Sequence, residues 1–499
     1  MSLTGSAPGR AVTVHANIRE CDLREVLGVA TTCGMERSYS ETEVRKLIAE
    51  ALAPLQQRIV ELVKRVVELE TQNARLKKDS SNSSKPPSSD IVKPPKEPPA
   101  GGGKRTIGGQ PGHVKHQRQP FAPEQIDHIV THEKPNPGRL EALDEWVVLQ
   151  QIELTASPCI ITEHRARLYR DPVTGRRVAA GFPSEVAAAG LFGPHLTALV
   201  AYLKSAGHMS YTAIARFCRD VLKITISRGQ LAKVIQKAST ALAPAHAELA
   251  ACLPRQEQLH VDETGHKERR QAFWTWVLRA ELFTFFTINA SRGSKVLVEL
   301  LGEQFAGVLN CDYFWAYRKY MADCDILVQF CLAHLIRDVK FLTTLPDAAT
   351  RNYGQRLLEA LRQLFRIIHR REKMSPQRFQ RALEQARDRI LKVGRRAPPR
   401  RAAQNLAARF GQHGAAYFRF VTTPGVEPTN NLAEQAIRFV VLDRYVTQGT
   451  RSLRGREFCQ RAWTAVATCA QQGRSVYTFL SEAIAAAFHG RPAPSLLPA

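Results

Sequence analysis

From Leu52 to Leu76 the apolar residues recur every seven positions, with Leu52, Ile59, Val66 and Asn73 on one seam and Leu55, Leu62, Leu69 and Leu76 on the other. β-Branched residues on the first seam, Leu on the second and a single Asn predict a parallel two-stranded coiled coil whose register Asn73 fixes. Arg65 is placed to pair with Glu70 of the partner subunit, and Pro54 is expected to limit the helix to its C-terminal side. An amphipathic helix packed on its own domain is the alternative. Residues 1–40 show no period and read as a tail, with Met35 as a second possible start; 41–78 form the dimerisation helix. The runs SSNSSKPPSSD, KPPKEPP and GGGKR make 79–119 a flexible linker, because they hold too little apolar surface for a core. GGQPGH is not a phosphate loop, since no strand precedes it and no Gly-Lys-Ser/Thr follows.

Beyond the linker the period changes. In 120–182, WVVLQQIEL and CIITEHRARLYR alternate like short strands, with a turn at DPVTG, and predict a small β-rich module. In 183–250, MSYTAIARFCRDVL and SRGQLAKVIQKA predict two helices joined by a tight segment and capped by Ser227. That pair is a helix-turn-helix candidate or a plain helical hairpin. QLHVDET, AFWTWVLRA and LFTFFTIN are three successive strands. They are followed by a helix at 293–303, the strand GVLNCD, a short helix from Tyr313, the strand ILVQFC and the helix LAHLIRDVKFL. This order predicts a mixed sheet with helices on its faces over 251–345. Residues 346–410 read as a basic helical insertion, 411–486 as the second part of the same core and 487–499 as a tail. The fold class is therefore multidomain α/β.

Charge sharpens the picture. The 499 residues carry 70 Lys+Arg against 46 Asp+Glu, a formal charge of +24. Half of that excess lies in 351–401, where sixteen Lys+Arg face four Asp+Glu. So uneven a distribution favours phosphate contact over a merely solvated surface. No signal peptide is evident, and the most apolar stretch, 187–203, is broken by Gly, Pro and His, so no membrane association is expected. Ten scattered cysteines read as reduced thiols in a cytoplasmic, nucleoid-associated protein.

The chemistry-bearing candidates are acidic. Asp262 is placed at the end of the first strand and Asp312 at the end of the fourth, so a parallel pairing of those strands brings the two together. Carboxylates so placed can share hard divalent cations such as Mg²⁺. Glu434, in EPTNNLAEQAIR, is a third candidate, with the returning acid of a capping box on Asn431 as its alternative. Asp312 has an ordinary turn aspartate as its own alternative. Glu263 is expected on the opposite face of the strand from Asp262. Cys331 and His334 form a C-x-x-H pair with three open readings: support to the active site, half of a zinc site, or a buried Cys beside a satisfied His. Arg438, four residues after Glu434, is a candidate phosphate contact or acid partner.

LHVDETG, VLNCDYFWAY, CLAHLIRDVKFL, EPTNNLAEQAIR and QGTRSLRGREF, in that order, with NSSKPPSSD and GGQPGHVKH upstream, resemble the transposases of the family named after insertion sequence 66, over roughly residues 41–486. The resemblance implies an RNase H-like core and an Asp-Asp-Glu triad, mapping onto Asp262, Asp312 and Glu434 as catalytic and metal-binding residues. It further implies two Mg²⁺ or Mn²⁺ ions, double-stranded DNA partners (terminal inverted repeats and target DNA), and DNA cleavage followed by strand transfer. Small accessory proteins of the same element are a further implied partner. Two departures stand out. Where the family carries two C-x-x-C knuckles, this chain reads EKPNPG and DPVTG with only Cys159 nearby, so no structural zinc is expected there. Gln435 stands where the family commonly has Arg. A catalytically silent DNA-binding regulator is the competing reading.

Overall fold

The computed structural model describes residues 41–77, 120–132, 148–155 and 158–498. The linker expected over 79–119 and the tail over 1–40 lie outside the described residues.

Helix α1 spans Glu41–Leu76, and its residues up to Gln72 belong to a separate compact unit. It runs straight through Pro54, so the proline does not set its start as the sequence suggested. Ile59, Leu62, Val66 and Leu69 are among its exposed apolar side chains. Arg65 pairs within the helix, with Glu68 at 3.3 Å.

In 120–182 the described strands are limited to a small hairpin, β1 (Leu168–Arg170) against β2 (Arg177–Ala179), closed by the turn at Asp171–Gly175. Residues 148–155 and 159–167 are not strands: their apolar residues, such as Leu149, Ile160 and Ile161, are exposed, and among the described residues no strand pairs with them. Alternation alone does not make a strand without a partner ladder.

A helical layer follows: α2 (Ser184–Ala189), α3 (Pro194–Ser205), α4 (Tyr211–Asp220) and α5 (Arg228–Cys252). The apolar stretch at 187–203 is thus two helices broken at Gly190, and Thr197, Ala198, Val200 and Ala201 of α3 are buried in the protein core. Ser210 and Ser227 cap α4 and α5, accepting from the amides of Ala213 and Gln230 at 3.2 and 3.1 Å. α5 is much longer than the second helix of a compact helix-turn-helix, and Leu231, Val234, Ile235, Ala238 and Leu242 bury one of its faces.

The central sheet comprises β3 (Gln258–Glu268), β4 (Gln271–Arg279), β5 (Thr284–Asn289), β6 (Val308–Cys311) and β7 (Leu327–Phe330), in spatial order β5-β4-β3-β6-β7. β6 pairs in parallel with β3 and β7, and the first three strands form an antiparallel meander. Helix α6 (Lys295–Leu301) connects β5 to β6, α7 (Trp315–Cys324) connects β6 to β7, and α8 (Leu332–Thr343) follows β7, in a layering consistent with an RNase H-like core. Three long helices follow: α9 (Ala348–Ile368), α10 (Pro376–Arg395) and α11 (Arg401–Tyr417), the last bent at His413. Each turns residues such as Leu357, Leu361, Leu383, Ile390 and Phe410 inward, leaving arginines such as Arg356, Arg362, Arg381 and Arg401 outside. The short α12 (Arg419–Thr422) leads to α13 (Asn431–Thr447), α14 (Leu453–Gln471) and α15 (Val476–Phe488).

Strand alternation divides β4 between two cores. Trp276 and Leu278 join the main core, while Val277 joins a smaller one with Phe286, Ile288, Ala433, Ile437, Val440 and Trp463. Full burial of each large apolar side chain contributes roughly 1.5–3 kcal/mol. This smaller core clamps α13 and α14 to the sheet. The free edge of β5 is also covered: the amides of Thr284, Phe286 and Ile288 donate to Thr468, Thr464 and Gln460, one helical turn apart on α14, at 3.2, 3.0 and 3.2 Å. An edge paired in this way cannot recruit a foreign strand.

Candidate active site

β3 carries two functional faces. Leu259 and Val261 enter the main core, while His260, Asp262, Thr264 and His266 alternate with them on the other face. Asp262 is not at the strand end, as expected from the sequence, because β3 continues to Glu268 as a hairpin with β4. What ends nearby is the parallel ladder with β6, whose last pair is His260 with Asn310. Asp262 and Asp312 each lie two residues beyond that pair, so the ladder delivers both to the same level.

Glu434 comes from a different part of the chain, and the Glu427–Asn430 segment brings it in. Asn310 Nδ2 donates to the carbonyl of Glu427 at 2.9 Å, and the Leu332 amide donates to the carbonyl of Pro428 at 3.0 Å. Asn430, 2% exposed, donates from Nδ2 to the carbonyl of Val261 at 2.7 Å, and its Oδ1 lies 3.2 Å from Nδ1 of His260. Its amide donates to Sγ of Cys331 at 3.2 Å. Asn430, rather than Asn431, is the helix cap, and its side chain is spent on β3. Glu434 therefore does not close a capping box. Its carboxylate lies 3.5 Å from Nδ1 of His334 and 3.6 Å from Nη2 of Arg337.

Two of the acids, Asp262 and Asp312, are perturbed upward. Burial pushes the Asp262 carboxyl well above the ordinary range, and the charges of Glu263, Asp312 and Glu434 push the same way. Burial also raises Asp312, against the opposing pull of His334, the Phe314 amide and Arg292. The Phe314 amide donates to Asp312 at 2.8 Å, and the Glu263 amide to Asp262 at 2.9 Å, which orients both carboxylates. A set of close, half-desolvated carboxylates fits a hard divalent cation, whose charge would offset both burial and mutual repulsion.

Glu263 does face away from Asp262, yet it is part of the same electrostatic unit. Its carboxylate accepts from Nη2 and Nε of Arg292 at 2.7 and 2.9 Å and from the Tyr317 hydroxyl. Burial, then the charge of Asp312, pushes it up to about 7. The Arg292 guanidinium stacks 4.5 Å from the centre of Trp274 and 3.9 Å from that of Phe314. Arg292 and Arg337 carry no spacing signal, and the sequence reading missed both. Arg438, the candidate of that reading, is exposed one turn beyond Glu434. Cys331 is buried at the start of α8, with His334 on its first turn.

The motif QGTRSLRGREF sits at the far end of β3. Thr450 exchanges backbone hydrogen bonds with Lys267 and Arg269 at 2.9 and 3.2 Å, and its hydroxyl lies 3.0 Å from Nε2 of His266. Arg444 of α13 donates to Thr264 at 3.1 Å and to the carbonyl of Gly265. These contacts fix both ends of α13 over the acidic residues. On the other flank, Arg409 of α11 pairs with Asp338 at 2.8 Å and stacks 4.5 Å from the ring of Tyr313, the neighbour of Asp312.

Residues 189–457, which contain all three acids, match the family described as Transposase IS66 family. Residues 34–119 match a family of unknown function, DUF6444. No curated protein matches the chain.

Proposed function

The chain belongs to the IS66 transposase family, and from that premise we propose that it binds the ends of a mobile element and catalyses metal-dependent phosphodiester cleavage and strand transfer, with Asp262, Asp312 and Glu434 as its acidic set. The observation that carries this reading is the convergence of the three carboxylates from β3, the end of β6 and the start of α13, where the charges of Asp312 and Glu434 both raise Asp262. Buried carboxylates raised as Asp262 and Asp312 are mark functional sites more often than structural ones.

In the proposed reaction the oxygen of water attacks a phosphorus at the element end, and the 3′-oxygen leaves as a hydroxyl. That hydroxyl then attacks a target phosphodiester. No Ser or Tyr of the chain need bond to DNA. The three acids would hold two Mg²⁺ or Mn²⁺ ions, which supply charge neutralisation and activation of the attacking oxygen. Asp262 and Asp312 are oriented by the amides of Glu263 and Phe314. Arg337 and His334 hold Glu434 in its half-buried place until the metals bind.

The basic outer surface of α9 and α10 supports contact with DNA backbone, and the pair α4–α5 offers a second DNA-contacting element. The exposed apolar seam of α1 supports a dimer through a coiled coil, which would pair two element ends. Double-stranded DNA, a second copy of the chain and small proteins of the same element are the partners we propose, in the cytoplasm at the nucleoid.

The test is cleavage of an end-containing duplex with Mg²⁺ or Mn²⁺, comparing wild type with Asp262→Asn, Asp312→Asn and Glu434→Gln. All four proteins should bind DNA and only wild type should cut. Cutting by Glu434→Gln would remove that residue from the set. A wild type that binds ends but never cuts, companion proteins included, would favour a silent DNA-binding regulator.

A further inference from the structure

We propose that Cys331, His334 and Glu434 form a regulatory site for one borderline-soft divalent cation of the zinc class. Its Sγ, imidazole nitrogen and carboxylate oxygen lie within 4.8 Å of one another. The inhibitory consequence drawn below rests on the catalytic reading of Glu434; the binding itself does not.

The geometry is built on two helix starts. Cys331 caps α8 and His334 is on its first turn, so the two donors face the same side; Glu434 projects from the first turn of α13. The hydrogen bonds from the Leu332 amide to Pro428 and from the Asn430 amide to Cys331 Sγ lock these two starts together. The ligands are thus presented by rigid elements rather than by free loops.

Donor chemistry selects the ion. One sulfur, one nitrogen and one oxygen suit Zn²⁺, whereas Mg²⁺ demands an oxygen shell. Metal–ligand bonds of about 2.0–2.3 Å in a tetrahedron bring donors to roughly 3.3–3.8 Å apart. Side-chain rotations can close a 4.8 Å triangle to that size. His334 and Glu434 keep 13% and 20% of their side-chain surface open, which leaves water as the fourth ligand.

Arg337 already places a cation on the same groups, with Nη1 3.3 Å from Nε2 of His334 and Nη2 3.6 Å from Glu434. Metal binding would displace Arg337 from Glu434. The thiol proton leaves to solvent as the Sγ–metal bond forms, and the thiolate and carboxylate together balance the two charges of the ion. A carboxylate oxygen held by zinc is withdrawn from Asp262 and Asp312. Micromolar zinc should therefore inhibit DNA cleavage that millimolar Mg²⁺ supports.

Cobalt is the probe, titrated into the full-length protein without DNA. One equivalent of Co²⁺ should give a thiolate-to-cobalt charge-transfer band that Zn²⁺ abolishes and excess Mg²⁺ does not. Cys331→Ser should remove the band, His334→Ala should weaken binding at least tenfold, and Arg337→Met should tighten it several-fold. Asp262→Asn should leave it unchanged. Absence of the band in wild type, its survival in Cys331→Ser, or unchanged affinity in His334→Ala would each overturn the proposal. Should Cys331→Ser fail to fold, the His334 and Arg337 variants decide. None of these readouts requires the protein to cut DNA, so a failure here is distinct from a failure of the transposase reading.

Discussion

The side-chain amide of Asn430 donates a 2.7 Å hydrogen bond to the carbonyl of Val261, the residue before Asp262. Residues 169 positions apart are thereby joined, and the helix bearing Glu434 is set against the strand bearing Asp262. Asn430→Ala would leave the buried partners of this amide unsatisfied, at a cost of about 1–3 kcal/mol. It would also let Glu434 drift, and a displacement of about 1 Å can slow catalysis on the order of 100-fold. The expected result is a folded protein that binds end DNA as tightly as wild type and cuts it about 100-fold more slowly, measured by single-turnover cleavage.

Gly449 links α13 to the end of β3, at φ +87°, and a Cβ there would meet the carbonyl oxygen of Lys267 at 2.2 Å. Gly449→Ala should be destabilising by about 1–3 kcal/mol from backbone conformation alone, with the steric clash in addition. Thermal unfolding followed by circular dichroism should show a lowered Tm. An unchanged Tm would mean that the link is not held as described.

Burial holds the His266 imidazole neutral and lowers its pKa to about 4, with the charges of Arg444 and Arg456 acting the same way. The unfolded residue titrates near 6.5. Its stabilising contribution is therefore complete above about pH 6.5 and is lost as pH falls from 6.5 towards 4. His260, lowered to about 4 by burial, behaves alike. His266→Gln should reduce the slope of stability against pH in that window by about 1.4 kcal/mol per unit, the value for one proton. Urea titrations at pH 5 and 6 would measure it.

Arg371, Lys373 and Arg378 are exposed where α9 gives way to α10. If this surface follows a DNA backbone, each lost phosphate contact lowers the slope of log affinity against log salt by about 0.9. Changing all three to Gln should weaken binding to any duplex and lower the slope by about 2–3. A change confined to end-sequence DNA would instead assign base reading to this surface.

Much of this architecture was legible along the chain. Alternating apolar residues mark β3, β4 and β5, and GVLNCD marks β6, because a strand buried on one or both faces must carry that pattern. The failures are equally physical. Alternation in 148–167 predicted strands where the described residues form none, since pairing depends on a neighbour that local sequence does not specify. Pro54 was expected to limit α1, and the helix runs through it.

By itself, the sequence determined the order of the strands and helices of the core and the sign of the surface, which follow from local periodicity and composition; it put Asp262 at a strand end, where β3 in fact runs on to Glu268. Only the tertiary structure decided that Asn430 serves as a bridge to β3, that Glu434 faces His334 and Arg337 rather than its own cap, and that Glu263 is buried against Arg292 and Tyr317. Each of those depends on side chains meeting across long sequence separations, where no periodicity records the encounter and only the packing of α13, α7 and the sheet brings the partners within reach.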